Sequence, residues 1–275
     1  MTAVDRPVGL TIAGSDSCGG AGIQADLKTM LALGVVGTSA LTAVTAQSTA
    51  GVRKSVTLEP EMVAAQIDAV LEDVTPGSTK TGMLATGGVM EAVADRVRRH
   101  ELPNLVVDPV MVATSGSPLI DEDGVRAMRD LIVPLARTVT PNIPELETLS
   151  GMSVVTESDI EKAARRVMDR GASSVLVKGG HRDGPAVDVL FTPRGAVRYE
   201  SERIGTGTLH GTGCTMSAAL VAFLARGLEL EDACGRAKRF VTEAIRGAFP
   251  VGGGGSMLDH ARAGRLSDEG REKTP

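Results

Sequence analysis

Short apolar runs alternate with stretches of helical period along most of the chain. Val8–Ala13 is apolar and ends in Gly14-Ser15-Asp16; Gly19-Gly20-Ala21-Gly22 follows, then a helical pattern through Leu33. That is the order strand, glycine loop, helix. The unit recurs, with strands predicted at 35–44, 79–84 and 105–108 and helices at 60–71 and 89–99. Strands at 138–140 and 175–177 bracket a helix over 159–170, for which Ser158 and Glu161 have capping-box spacing. Such alternation predicts an α/β fold: a doubly wound, mostly parallel central sheet with helices on both faces.

After Lys178 the period changes. Two strand-like runs, 186–192 and 196–200, joined by Pro193-Arg194-Gly195, predict a small hairpin at one sheet edge. Helices over 212–225 and 231–248 close the pattern, the first opening from a glycine-rich loop. Gly252 to Gly255 reads as a flexible break, and the charged stretch 261–275 as a mobile tail with too few apolar residues to pack. The expected organisation is one domain over 1–260.

Composition narrows the function classes. Hydrophobic residues make up 42% of 275, but aromatics only 2%, so Val, Leu, Ala, Ile and Met must fill the core, as in a parallel sheet under helices. A net charge of -5, with no basic stretch interleaved with aromatics, argues against a nucleic-acid partner. No apolar run reaches the roughly 18 residues needed to span a bilayer, and the N-terminus lacks signal-peptide organisation. Cys18, Cys214 and Cys234 form no C-x-x-C pair, which argues against disulfides or a zinc site and for a reducing cytoplasm.

The segment Gly205-Thr206-Gly207-Thr208-Leu209-His210-Gly211-Thr212-Gly213-Cys214-Thr215 precedes a long apolar helix. Small residues there let backbone N–H groups converge at a positive helix end, so Thr206, Thr208, Gly211 and Gly213 suit nucleotide phosphates. A tight turn explains the glycine spacing equally well. Gly77-Ser78-Thr79-Lys80-Thr81 lacks the glycines of a Walker A loop. Asn142 and Glu145 follow one strand and Asp108 ends another, placing oxygen ligands suited to Mg²⁺ where open α/β sheets collect ligands. Read alone, Asn142 and Glu145 are more often a helix cap and a solvated first-turn acid. Lys178, before Gly179-Gly180, is a candidate phosphate contact or a surface lysine. Gly14-Ser15-Asp16-Ser17 departs from the dinucleotide pattern and carries an acid that would repel pyrophosphate, so the loop suits a neutral polar ring instead. Asp26 is either a ligand group or an acid facing a helix dipole. His100 and His181 read as solvent-facing, His210 as loop-shaping and Cys234 as core.

Seven blocks together resemble the hydroxymethylpyrimidine/phosphomethylpyrimidine kinases of the ribokinase superfamily. They are Thr11 to Asp16, Gly19 to Thr29, Gly82-Met83-Leu84, Asp108 to Met111, Thr140 to Glu145, Lys178-Gly179-Gly180-His181 and His210 to Thr215. The resemblance spans roughly 10–260. It implies ATP- and Mg²⁺-dependent phosphorylation of 4-amino-5-hydroxymethyl-2-methylpyrimidine to its monophosphate and then its diphosphate, in thiamin biosynthesis. It further implies that Gly14, Gln47, Met83 and Val110, with Asp26 as a candidate beside them, hold the pyrimidine. Lys178 and the 211–214 amides would meet ATP phosphates, Asp108, Asn142 and Glu145 would organise Mg²⁺, and the protein would be a homodimer. Cys214 stands where sugar kinases of the superfamily carry the aspartate base of G-T-G-D, which makes Cys214, Gly211, Thr212, Gly213 and Lys178 the catalytic candidates. A thiol at a helix N-terminus is expected to have a lowered pKa. Ser17-Cys18 departs from the family's usual Pro-Ser. The rival readings are a pyridoxal or pyridoxine kinase and a non-catalytic pyrimidine sensor.

Overall fold

The computed structural model describes residues 6–112, 119–179, 184–205, 207 and 209–269. The chain first forms β1 (Val8–Ala13), α1 (Gly22–Ala32), β2 (Val36–Leu41) and a hairpin of β3 (Ala43–Ser48) and β4 (Gly51–Thr57). Next come α2 (Pro60–Leu71), β5 (Ser78–Thr81), α3 (Gly87–Arg99), β6 (Leu105–Val107) and α4 (Glu122–Ala127). After β7 (Thr138–Val139) lie α5 (Ile143–Ser150), α6 (Glu157–Met168), β8 (Val175–Val177) and the hairpin β9 (Ala186–Thr192) and β10 (Gly195–Ser201). The chain then runs through β11 (Leu209–His210), α7 (Thr212–Ala225), α8 (Leu230–Arg246), β12 (Ser256–Met257) and α9 (His260–Glu269).

Eight strands make one sheet in the order β10-β9-β8-β7-β6-β5-β1-β2. The strands from β2 to β8 in that sheet pair in parallel, and β9 and β10 add the antiparallel edge. One apolar core packs under α2, α3, α5 and α6, and a second lies on the opposite face under α1, α7, α8 and α9. From β1 the chain moves to β2 on one side and later returns to β5 on the other. This reversal of strand order opens a crevice at the carboxyl ends of β1 and β5, where open α/β sheets bind ligands. Helix α7 lies under this crevice, with every residue from Thr215 to Leu224 buried. Its all-round burial explains why it lacks a polar stripe.

Several boundaries differ from expectation. The run 35–44 is two strands parted at Thr42, whose hydroxyl donates to the Met83 carbonyl at 2.6 Å. Strand β4 gave no alternating signal because Arg53, Lys54, Ser55, Val56 and Thr57 are all exposed. The capping box of α6 is Thr156 with Asp159, two residues before the expected pair, and Asp159 fills the role expected of glutamate. Gly252 to Gly255 is not a free hinge: a Cβ on Gly254 would stand 2.0 Å from the Thr49 carbonyl oxygen, so the run packs on the β3–β4 turn. Within the expected tail, residues 261–269 belong to α9, which packs on α1 and α8. Ala263 is buried and Gly264 leaves room for Ala32, so two small residues supply the contact that the charged composition concealed.

Candidate functional site

A cavity of about 880 Å³ runs along the carboxyl edge of the sheet. Gly14 follows β1, Gly82 and Met83 follow β5, Asp108 follows β6, Asn142 and Glu145 follow β7, and Lys178 follows β8. Gln47 and Val52 from the β3–β4 hairpin, and residues 211–214 at the start of α7, complete the lining. At one end a Cβ on Gly14 would fall 2.5 Å from the Met83 methyl group, so the absence of a side chain at Gly14 leaves room for the Met83 thioether on this wall. Val110 lies on the same wall. Of the expected ring contacts, Gly14, Gln47, Met83 and Val110 therefore share one cavity.

Asp26 does not join them. It is fully buried beneath the floor, bonded to Lys80 Nζ at 2.6 Å and to the Thr11 hydroxyl at 2.7 Å. Lys80 was missed in the sequence because an isolated lysine in a polar strand reads as surface, yet it is fully buried and lines the cavity floor. Burial opposes its charge, but Asp26, Cys214 and Asp108 hold its pKa above the usual lysine value.

At the other end Lys178 Nζ donates to Asp108 Oδ1 at 2.9 Å and stands 3.8 Å from Glu145 Oε2. Burial works against the ammonium, and the two carboxylates overcome it, so its pKa is raised. Asp108 Oδ2 also accepts from the Ser217 hydroxyl at 3.0 Å, tying β6 to α7. Helix α7 opens toward this cluster: a Cβ on Gly213 would lie 3.2 Å from Lys178 Nζ. Gly211, at φ 83°, turns the chain into the helix, and Thr212, Gly213 and Cys214 begin its first turn. Gly179 is fixed by its neighbours, since a Cβ would meet the Val187 oxygen at 1.9 Å and its N–H donates to Asp188 at 3.0 Å. Asp188 is in turn paired with Lys238 Nζ at 2.9 Å. The expected nucleotide contacts Thr206 and Thr208, together with Gly180 and the His181 read as solvent-facing, lie outside the described residues.

The donor set bears on Mg²⁺. Asp108 and Glu145 bring two hard carboxylates to one ammonium, leaving an excess of negative charge that fits a divalent cation held partly through water. Asn142 does not present its amide to that point. Its Oδ1 accepts from Glu145 N–H at 2.9 Å and Glu145 Oε2 accepts from Asn142 N–H at 2.8 Å, so the helix-cap reading describes it. Among the described residues no group of three or more His, Cys, Asp or Glu forms a metal cage.

Cys214 overturns the expectation of a lowered pKa. Burial, together with Asp26 and Asp108 and against Lys80, pushes the thiol up to about 11. The helix end is thus outweighed by desolvation.

The family model described as phosphomethylpyrimidine kinase matches residues 16–259. The chain belongs to that kinase family. It is 43% identical to the hydroxymethylpyrimidine/phosphomethylpyrimidine kinase of Bacillus subtilis, over 91% of this chain and 93% of that one. It is 47% identical to the thiamine biosynthesis bifunctional protein of Geobacter sulfurreducens over 92% of this chain, and spans about half, 52%, of that longer relative. Among solved structures, an ADP complex of Bacillus subtilis pyridoxal kinase superposes with a TM-score of 0.88 at 38% identity, covering 95% of this chain and 99% of that one. Family members are kinases, which implies use of ATP, and among the described residues no helix is long and apolar enough to cross a membrane.

Proposed function

We propose that this chain phosphorylates 4-amino-5-hydroxymethyl-2-methylpyrimidine and then its monophosphate, with ATP as donor, in thiamin biosynthesis. The observation that carries this reading is one cavity joining a Gln47–Met83–Val110 wall to the Lys178–Asp108–Glu145 cluster at the α7 N-terminus. In this reading the ring packs on Met83 and against Gly14 and Val110, while Gln47 meets its polar edge. Its hydroxymethyl group faces Cys214 and the first turn of α7.

Phosphoryl transfer needs placement and charge compensation more than a strong base. Lys178 stays cationic and, with the 211–214 amides, offsets charge on the transferring group. Cys214, with a thiol pKa near 11, is neutral at physiological pH and acts as a small polar wall that accommodates a hydroxyl or a phosphate acceptor. A fixed carboxylate there would repel the second acceptor. When bound, Mg²⁺ held by Asp108 and Glu145 through water would neutralise nucleotide phosphate charge. Asp188, clamped by Lys238, positions Gly179 and hence Lys178. We further propose a homodimer working in the ATP-rich, reducing cytoplasm, consistent with three free cysteines.

A specific observation keeps a second substrate in view: a structural neighbour is a pyridoxal kinase, and a substituted pyridine also carries a hydroxymethyl group. ADP release with each compound, ATP and Mg²⁺ separates the two. Turnover of the pyrimidine supports the proposal, turnover of pyridoxal alone replaces it, and turnover of neither favours a binding protein.

A further inference from the structure

A second charge pair, apart from the Lys178 cluster, lies beneath the cavity floor. Thr11 of β1 and Lys80 of β5 are register partners in the sheet, and both bond Asp26 of α1. The hydroxyl donates to Oδ2 at 2.7 Å and the ammonium to Oδ1 at 2.6 Å. The carboxylate is thereby held at both oxygens, and the pair cannot turn. Its two ends face different surroundings: Lys80 lines the cavity together with Gly82, Asp108 and Cys214, and Asp26 does not. The pair is a fixed dipole whose positive end points at the cavity.

Two features leave that positive end uncovered. An ammonium has three N–H groups, and among the described residues Asp26 is the one hydrogen-bond acceptor of Lys80. Gly82 places no side chain over it: a Cβ there would stand 3.5 Å from Lys80 Nζ and 2.9 Å from the Ala13 Cβ. Both side chains of the pair are closed to water, so solvent does not screen the field. A dipole already set in such surroundings acts on nearby charge without reorganising. The field reaches Cys214, whose thiol pKa Lys80 draws down against burial, Asp26 and Asp108.

We propose that the Asp26–Lys80 dipole serves the second transfer in particular, its positive end offsetting the charge of an anionic acceptor, the monophosphate, beside Cys214. In that transfer an oxygen of the monophosphate dianion forms a bond to the γ-phosphorus of ATP. The bond from that phosphorus to the β–γ bridging oxygen breaks, and its electron pair leaves with ADP. No proton is released at the acceptor, but two anions must meet, and the buried ammonium offsets their repulsion. The first transfer has an uncharged acceptor and gains less. Lys80 acts through its field, closed off from contact, and is a positioning residue. The direction of the field stands on the geometry; the identity of the two acceptors rests on the kinase reading above.

Asp26→Leu combined with Lys80→Met removes the dipole without stranding either charge, and Asp26→Asn with Lys80→Gln is a second neutral pair should the first not fold. One measurement reads the field without the pyrimidine. Iodoacetate and iodoacetamide attack through the same thiolate and differ in charge, so the ratio of their rates at Cys214, followed on its peptide by mass spectrometry, is independent of the thiol pKa. That ratio should fall roughly fivefold to tenfold in the neutral pair. An unchanged ratio overturns the dipole. The other measurement is kinetic: kcat/KM for the monophosphate should fall at least about tenfold further than kcat/KM for the hydroxymethyl compound. A simply structural role would lower both transfers alike, and that result overturns the proposal. Failure of the wild type to phosphorylate the pyrimidine contradicts the kinase reading instead, and the alkylation ratio still decides the direction of the field.

Discussion

Lys80 Nζ and Asp26 Oδ1 lie 2.6 Å apart with both side chains fully buried beneath the floor of the cavity. An ion pair of this kind adds little net stability over an apolar replacement, but removing one partner strands the other. Lys80→Met should cost about 3–5 kcal/mol in urea unfolding at unchanged m-value. Asp26→Leu combined with Lys80→Met should be less costly than Lys80→Met alone. Equal costs for the single and double variants would show that the pair does not act as a unit.

Two glycines are required by close approach. Gly211 has φ 83° and a Cβ there would fall 1.8 Å from the Gly20 carbonyl oxygen; one on Gly179 would fall 1.9 Å from that of Val187. Either alanine variant must displace the α7 entry or the Lys178 strand end. Both should lose at least about 100-fold in kcat, since misplacement of about 1 Å costs that much. Gly253→Ala, with open space around its Cα, should keep full activity and serves as the control.

The raised thiol pKa of Cys214 has a direct signature. Moving from 9.0 to about 11 leaves about 100-fold less thiolate at neutral pH, so alkylation of Cys214 should be slower than that of a free thiol by about that factor. The kcat profile should carry no inflection between pH 7 and 9 that disappears in Cys214→Ser. Such an inflection would make the thiolate a working base.

His260 makes one contribution to stability that acid removes. Its Nε2 lies 3.0 Å from the Thr215 hydroxyl, linking α9 to α7, and burial lowers its pKa from 6.5 to about 4. The folded state therefore favours the neutral ring. The contribution, about 3 kcal/mol, is present above pH 6.5 and lost as pH falls from there toward 4. His260→Gln should flatten the stability curve over that window. An unchanged slope would mean that the ring titrates alike in the folded and unfolded states.

The strand–helix alternation was legible because each apolar run is short and bounded by glycine or polar residues. The cavity lining was legible where blocks fall at strand ends, as with Asp108, Lys178 and Gly211. Contacts between distant segments were not. Lys80 has no local pattern that distinguishes it from a surface lysine, since its partner lies 54 residues away. His210 meets Asp16 across 194 residues, so its spacing could suggest only a loop role. Asn142 was ambiguous locally, and its reciprocal bonds with Glu145 resolved it toward a cap. Helix α9 escaped notice because its docking rests on Ala263, Gly264 and the buried His260, which leave no apolar stripe.

The central claim is that one cavity serves two successive transfers to a pyrimidine. Following ³¹P spectra of the purified chain with 4-amino-5-hydroxymethyl-2-methylpyrimidine, ATP and Mg²⁺ tests it most directly. The account predicts a monophosphate signal that rises and then gives way to a diphosphate as ADP accumulates. Accumulation of monophosphate with no diphosphate, or phosphorylation of pyridoxal alone, would contradict it.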